Sequence, residues 1–574
     1  MLLPLLAAAW AAPVHARPAA AAAIEQACPR PPPGSVVSQP PEVHSRDGVL
    51  KLDLQLRSYR SPDGSVRYCY LYADAPSPTL RLHPGDLLEL RLKNELTDLD
   101  PAPAAMSGMS MTPAGADHAG RIDPCSSGAM TGVSTNLHFH GLTVPARCHE
   151  DEVLKTSIQP GEPPFEYRFR IPENEPPGLY WYHPHIHGFS SRQVLGGASG
   201  ALIIEGIERA VPEVAGLPER VLVIRDQDLL NPNAPASKSE PVVPHNLIDR
   251  DGDSANNGTG FGRPAKDLSI NFVPVPWPDY PPARIRLKSG ARELWRVLNA
   301  SAITYLNLAL IYGHVPQQLG LVGIDGVPMV SSGHSLPVTW VDHIGVPPGA
   351  RVEFIINAPG EGVPAMFVTR TVDTGQGGEN DPNRALASIV AAPDAKEPPA
   401  LPASQTPLPA STLPWLGDVQ PVRVRKLYFS EKLEIPNDPN SATTFFITMD
   451  GQAPKAFDPA DGPNIVTQQG DVEDWIIENR STELHAFHIH QLHFMLLDWN
   501  GAPVNEPFVR DTVNVPYFNG RMLEYPSVRL RMDFRDPDSV GTFVYHCHLL
   551  EHEDAGMMGT IRVDPRPGMA AAPP

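Results

Sequence analysis

The chain has 574 residues, with 45 basic against 65 acidic side chains for a net charge of −20, and 67 prolines. That acidity argues against a nucleic acid or an anionic surface as partner and mildly suits cationic substrates or metal ions. The length leaves room for about three or four domains, and the high proline share suits many short strands rather than long helices.

Met1 to Ala16 are apolar and Ala/Leu-rich, with Val14-His15-Ala16 as an acceptable cleavage site. They are expected to be a signal peptide, too short to span a bilayer. No later stretch stays apolar for the roughly 18 residues a spanning helix needs, so the protein is expected to have no membrane span and to be periplasmic or secreted. Leu88 to Asn94 reads as a strand ending in Asn after the turn Pro84-Gly85-Asp86. The pattern recurs in Leu294 to Asn299 after Ser289-Gly290, and in Trp475 to Asn479 after Gln469-Gly470-Asp471, which marks an internal repeat.

A long insertion after Asn94 carries Met106, Met109 and Met111. Thioethers suit Cu(I), but three methionines in a Ser/Gly/Ala loop read better as a loop without metal. Next come His138-Phe139-His140, the acidic run Glu150-Asp151-Glu152, and His183-Pro184-His185. His187 extends that last motif and is expected to pack beside the site rather than ligate. Gly196 to Gly200 reads as a turn, because Ala201 to Ile204 looks like a strand. After Asn479, histidines stand six, nine and eleven residues on, at His485, His488 and His490; after Asn299 the same offsets hold Tyr305, Leu308 and Leu310. The middle copy therefore keeps the strand pattern without ligands. A Pro/Ala-rich linker over 393–414 precedes the last copy.

Near the end, Gly541 to Tyr545 reads as a strand leading into His546-Cys547-His548. Continued period-two geometry sends the two histidines to one face and Cys547 to the other. Cys547, His552 and Met557 follow at steps of five residues. With His485 they make the thiolate, two imidazoles and weak thioether of a blue-copper electron-transfer site. The four His-x-His pairs supply eight imidazoles, more than one tetrahedral ion takes, so they call for a multinuclear centre.

These four motifs, in this order, resemble the multicopper oxidases (laccases, cuprous oxidases, bilirubin and ascorbate oxidases) over roughly residues 45–565. The resemblance implies an all-β chain of three consecutive cupredoxin-like Greek-key β-sandwich domains, at 40–207, 215–392 and 415–566. The cluster would lie between the first and third, with the middle one as spacer. Four coppers per chain are implied: type 1 on His485, Cys547, His552 and axial Met557; type 2 on His138 and His488; and a type 3 pair on His140, His183, His185, His490, His546 and His548. Glu553, directly after a ligand, stands where similar bacterial enzymes place a proton relay. Asp151 stands where relatives carry an acid near the cluster, but Asp-Glu-Val replaces the usual Asp-Gly-Val, which leaves Asp151 and Glu152 both open. The implied reaction couples one-electron oxidation of a donor at type 1 copper to four-electron reduction of O2 to water. Phenols and aromatic amines are the leading donors, and Cu(I) or another metal ion the second. A non-catalytic copper-binding scaffold is argued against by the intact ligand set.

With Cys547 assigned to copper, Cys28, Cys69, Cys125 and Cys148 allow three pairings. An exported chain accommodates disulfides, and Cys125–Cys148 with Cys28–Cys69 is the pairing favoured.

Overall fold

The computed structural model describes residues 28, 30–99, 123–126, 130–238, 248, 253–331, 334–403, 413–435 and 441–569. The leader Met1 to Ala16 and the segment Met106 to Met111 lie outside the described residues, as does the 404–412 stretch of the expected linker. The chain is nearly all β, 45% strand and 5% helix, in cupredoxin-like sheets.

Three pairs of sheets follow one another, each closing on its own apolar core. In the first, Val49–Arg60 alternates so that Leu50, Leu52, Leu54 and Leu56 all face inward. It pairs in parallel with Leu87–Glu95, whose Leu88, Leu90 and Leu92 fill the same core opposite Phe139, Leu202 and Ile204. The period-two pattern thus decides which face of each strand is buried. The opposing sheet runs in the order Glu42–His44, Thr79–Leu82, Gly200–Ile204, Gly178–His183, His138–His140, so two of the His motifs end on one edge. The middle pair, of eight and six strands, encloses Trp295, Leu308, Phe354 and Phe367. In the last pair, a six-stranded sheet faces a five-stranded one in which His485–Ile489 lies between Gly541–Cys547 and Thr512–Val515.

The repeated Asn does the same work three times. The Asn94 amide donates to the carbonyls of Val133 and Ile158 at 2.8 and 2.7 Å. Asn299 donates to Thr304 and Val346 at 3.0 and 2.9 Å, and Asn479 to Glu483 and Val515 at 2.8 and 3.2 Å. Each side-chain oxygen also accepts the N–H two residues on. A buried strand end is thereby satisfied, and the chain is aimed into the following strand, which carries a His-x-His motif in two copies and none in the middle. Gly85, Gly290 and Gly470 in the preceding turns all have positive φ, +86°, +70° and +90°, which explains why glycine recurs there.

Cys28 pairs with Cys69 and Cys125 with Cys148, while Cys547 is free and buried. Gly197, at φ +111°, turns the chain into the strand Gly200–Ile204, in keeping with the turn read there. Among the described residues, no helix is long and apolar enough to cross a membrane.

Candidate metal centre

The four His-x-His motifs, far apart in sequence, meet in one buried pocket. His138 and His140 pair across the sheet with His183 and Trp181, and His488 pairs with His546 in the last sheet. Across the seam between those sheets, His138 stacks on His490 with centroids 3.7 Å apart, and His140 on His488 at 3.9 Å. His185 stands 5.1 Å from His546, and His140 is 5.0 Å from His548. His546 and His548 share a face, 5.5 Å apart, although the strand itself ends at Cys547.

The outer ring nitrogens are held by the chain. His183 Nδ1–H donates to Pro184 O at 3.0 Å, His488 Nδ1–H to Asp511 O at 2.9 Å, and His546 Nδ1–H to Cys547 O at 2.9 Å. His138 Nδ1 faces Asp151 at 3.0 Å, and His140 Nε2 faces Asp511 at 3.2 Å. A proton on each of these nitrogens leaves the other with a lone pair. Four of those inner atoms, His138 Nε2, His140 Nδ1, His183 Nε2 and His488 Nε2, are buried without a hydrogen-bond partner among the described residues. Burial, reinforced by neighbouring imidazoles, pulls His138, His183, His185, His490, His546 and His548 well below the ordinary histidine range. Neutral rings aiming unpartnered lone pairs into one closed space are costly unless a cation takes them. The donor set fits metal.

The second site lies on the other face of Cys547. Its Sγ is 3.6 Å from His485 Nδ1 and 3.9 Å from His552 Nδ1, which are 3.2 Å from each other. The circumcentre of a triangle with those sides is about 2.1 Å from every corner, within the usual span of metal–nitrogen and metal–sulfur bonds. Met557 is buried in the same core, and its backbone brackets the site: Cys547 N–H donates to Met557 O at 3.1 Å and Met557 N–H to His552 O at 2.9 Å. Burial pushes the Cys547 thiol up, an effect that a bound cation would reverse. His485 Nε2 is 2.7 Å from Ser481 Oγ, and His552 Nε2 is 3.8 Å from a Glu483 carboxylate oxygen. Half-buried Phe445 lies flat on His552, with centroids 4.0 Å apart.

Of the two acids left open, Asp151 is the one at the cluster: it is buried and accepts from Phe139 N–H at 2.9 Å and Gln491 Nε2 at 2.6 Å. Glu152 instead caps the backbone N–H groups of Lys155 and Thr156. Glu553 is buried between two of the histidines, 3.3 Å from His546 Nδ1 and 3.6 Å from His185 Nδ1, with Ser190 Oγ 3.3 Å away. Desolvation, then the Asp554 charge, raises its pKa well above the carboxylate range. His187 packs edge-on against Phe457 at 5.0 Å, and its backbone N–H reaches Met130 Sδ.

Three groups escaped sequence reasoning. Asp511, besides facing His140 and His488, takes both arms of buried Arg351 at 2.9 and 2.7 Å. Burial favours its neutral form, but Arg351 and then His140 outweigh that and hold it well below the usual range. Arg351 and Gly349 both belong to the ligand-free middle copy, so that region is more than a spacer. Gly349 sits at φ +83°, where a Cβ would come within 2.6 Å of the His548 ring. Gly349→Ala is expected to displace His548, lower copper content per chain in elemental analysis, and destabilise the fold by about 1–3 kcal/mol.

Comparison with known proteins agrees with this geometry. A family model for multicopper oxidases matches residues 431–567 and another matches 130–209, the two stretches that carry every histidine of the cluster and every residue of the second site. A multicopper oxidase of Staphylococcus haemolyticus is 24% identical over 496 residues, 85% of this chain and 81% of that protein. The multicopper oxidase MmcO of Mycobacterium tuberculosis is 23% identical over 458 residues, 74% of this chain and 76% of its own. A solved multicopper oxidase from Campylobacter jejuni superposes with a TM-score of 0.63 at 24% identity, covering 93% of this chain and 96% of its own.

The matched family models, the curated relatives and the solved neighbours are all multicopper oxidases, and together they support reading the chain as a laccase-like multicopper oxidase. It is a copper-dependent oxidoreductase that uses O2, and its cofactors are type 1, type 2 and type 3 copper.

Proposed function

We propose that His485, Cys547 and His552, with Met557 as a distant axial ligand, hold type 1 copper. His138 and His488 hold type 2, and His140, His183, His185, His490, His546 and His548 hold the type 3 pair. The observation that carries this is the Sγ/Nδ1/Nδ1 triangle, set one residue away on either side from two histidines of the cluster. Bound there, copper supplies one-electron oxidation of a donor and four-electron reduction of O2 to water. The chain's own part is positional and protonic. Cys547 joins the two sites through its backbone, Asp151 fixes the His138 ring, and Glu553 holds a proton beside His185 and His546. The three sheet pairs correspond to consecutive cupredoxin units at 40–207, 215–392 and 415–566. Two disulfides favour an oxidising compartment, in line with a periplasmic or secreted protein.

Phenols and aromatic amines are the donors proposed, entering over Phe445, whose ring covers the face of His552. Two observations favour a second reading, a metal-ion donor: the Glu483 carboxylate lies beside His552 Nε2, and the Campylobacter jejuni relative is a metallo-oxidase. Oxygen uptake with 2,6-dimethoxyphenol, Cu(I) and Fe(II) separates them. Phe445→Ala is expected to slow phenol oxidation several-fold and spare the metal ions, and Glu483→Gln to do the reverse. A holoprotein lacking blue absorption and four coppers per chain would reject the assignment itself.

A further inference from the structure

The middle copy of the repeat carries no ligand, yet it grips the strand that does. Tyr305, at the offset from Asn299 that His485 holds from Asn479, is 1% exposed and packs in the core of the last sheet pair with Cys547 and Met557. Its hydroxyl donates to Leu484 O at 3.0 Å, the carbonyl immediately before His485. On the other side, Leu484 N–H donates to Thr374 O at 2.7 Å, and Gly377 N–H reaches Thr482 O at 3.2 Å. Both polar backbone groups of Leu484 are thus bonded to the middle copy. The second ligand segment is held likewise: Leu550 N–H, between Cys547 and His552, donates to Ala302 O at 2.9 Å. Asp226 fixes the loop that offers this carbonyl, accepting N–H groups from Ala302, Ile303 and Thr304 at 2.8, 2.9 and 3.2 Å.

We infer that the middle repeat organises the mononuclear copper site, and that Tyr305, in the slot where its sister repeat keeps a ligand, is a positioning residue for His485. The inference rests on the type 1 assignment above. Physically, a buried carbonyl that loses a side-chain donor turns toward another partner, and the peptide that turns is the one joined to the His485 Cα. The ring then changes angle against the sulfur, to which blue-copper spectra and potentials are sensitive.

The test is Tyr305→Phe in the full-length copper-loaded enzyme. Expected are four coppers per chain as in wild type, a shifted blue absorption maximum and electron paramagnetic resonance hyperfine splitting, and a shifted type 1 reduction potential. Tyr312→Phe is the control: that hydroxyl donates to Asn357 O at 2.8 Å within the middle copy, and its loss should leave all three unchanged. Asp226→Asn, which loosens the other grip, should shift the same signals. A blue wild type whose spectrum and potential are identical in Tyr305→Phe overturns the positioning role. A wild type with no blue band fails the type 1 assignment instead. Loss of fold in Tyr305→Phe would show in thermal melting and leave Asp226→Asn to decide.

Discussion

Arg351→Met is expected to be among the most damaging single changes outside the ligands, lowering stability by about 3–5 kcal/mol and stripping copper from the cluster. Arg351 is wholly buried and spends its donors on three parts of the chain: Asp511 from the last sheet pair, Leu179 O from the first at 3.1 Å, and Gly349 O from its own at 3.2 Å. Methionine fills the volume but removes the positive charge. Asp511 and Asp325 then face each other; Asp325 is already pushed up to about 6 by burial and the Asp511 charge. Without Arg351 one of the two must take a proton, and Asp511 loses the partner that holds it ionised beside His140.

The sign of the pH dependence follows. In the variant, the folded pKa of this pair rises above the unfolded carboxylate value, so folding binds a proton at neutral pH. Stability is greatest below the unfolded pKa and falls as pH rises through the folded one. The deficit relative to wild type should therefore be smaller at pH 5 than at pH 7.5. Thermal unfolding at the two pH values checks this, with copper content measured alongside. Adding Asp511→Asn to Arg351→Met should recover part of the loss, because no uncompensated charge then remains at 511.

That this arginine lies in the ligand-free repeat explains why it was hidden. The histidines of the candidate cluster are legible because their spacing is local: an i,i+2 pair on an extended segment faces one way wherever the strand sits. The repeat was legible for the same reason, through its terminal Asn. Asp511 and Arg351 carry no such signature. One sits in a Thr/Val strand entry and the other in Arg351–Asn357, and they are 160 residues apart. Only the packing of three sheet pairs makes them a pair. Glu150-Asp151-Glu152 shows the same limit on a shorter scale. Composition cannot choose among consecutive acids, but a turn that buries Asp151 under the Phe139 N–H and leaves Glu152 to cap Lys155 does choose. The thioether run at Met106 lies outside the described residues.

Glu553→Gln is expected to slow reoxidation of the reduced enzyme by O2 about 10²-fold while leaving copper content and blue absorption intact. Reducing O2 to water consumes protons inside a pocket that excludes bulk water. A group beside the cluster must therefore arrive protonated and reload. Glu553 has the placement, reaching His546 and His185 on one side and Ser190 Oγ on the other. It also has the protonation state, because desolvation and neighbouring Asp554 keep it neutral far above the ordinary carboxylate range. Asp554 is pushed up to about 7 by burial, although the N–H groups of Ser190 and Ser191 at 3.1 and 2.9 Å moderate the rise. It thus offers the next site from which a proton can be drawn. Glutamine keeps the shape and the contact with Ser190 but cannot exchange a proton. In wild type, the reoxidation rate should fall as pH rises through the raised pKa, because only the protonated acid donates. In Glu553→Gln that alkaline limb should flatten, the rate being already low at every pH. Stopped-flow mixing of the fully reduced enzyme with O2 across pH reads both effects, and an unchanged rate with an unchanged limb would remove Glu553 from the proton path.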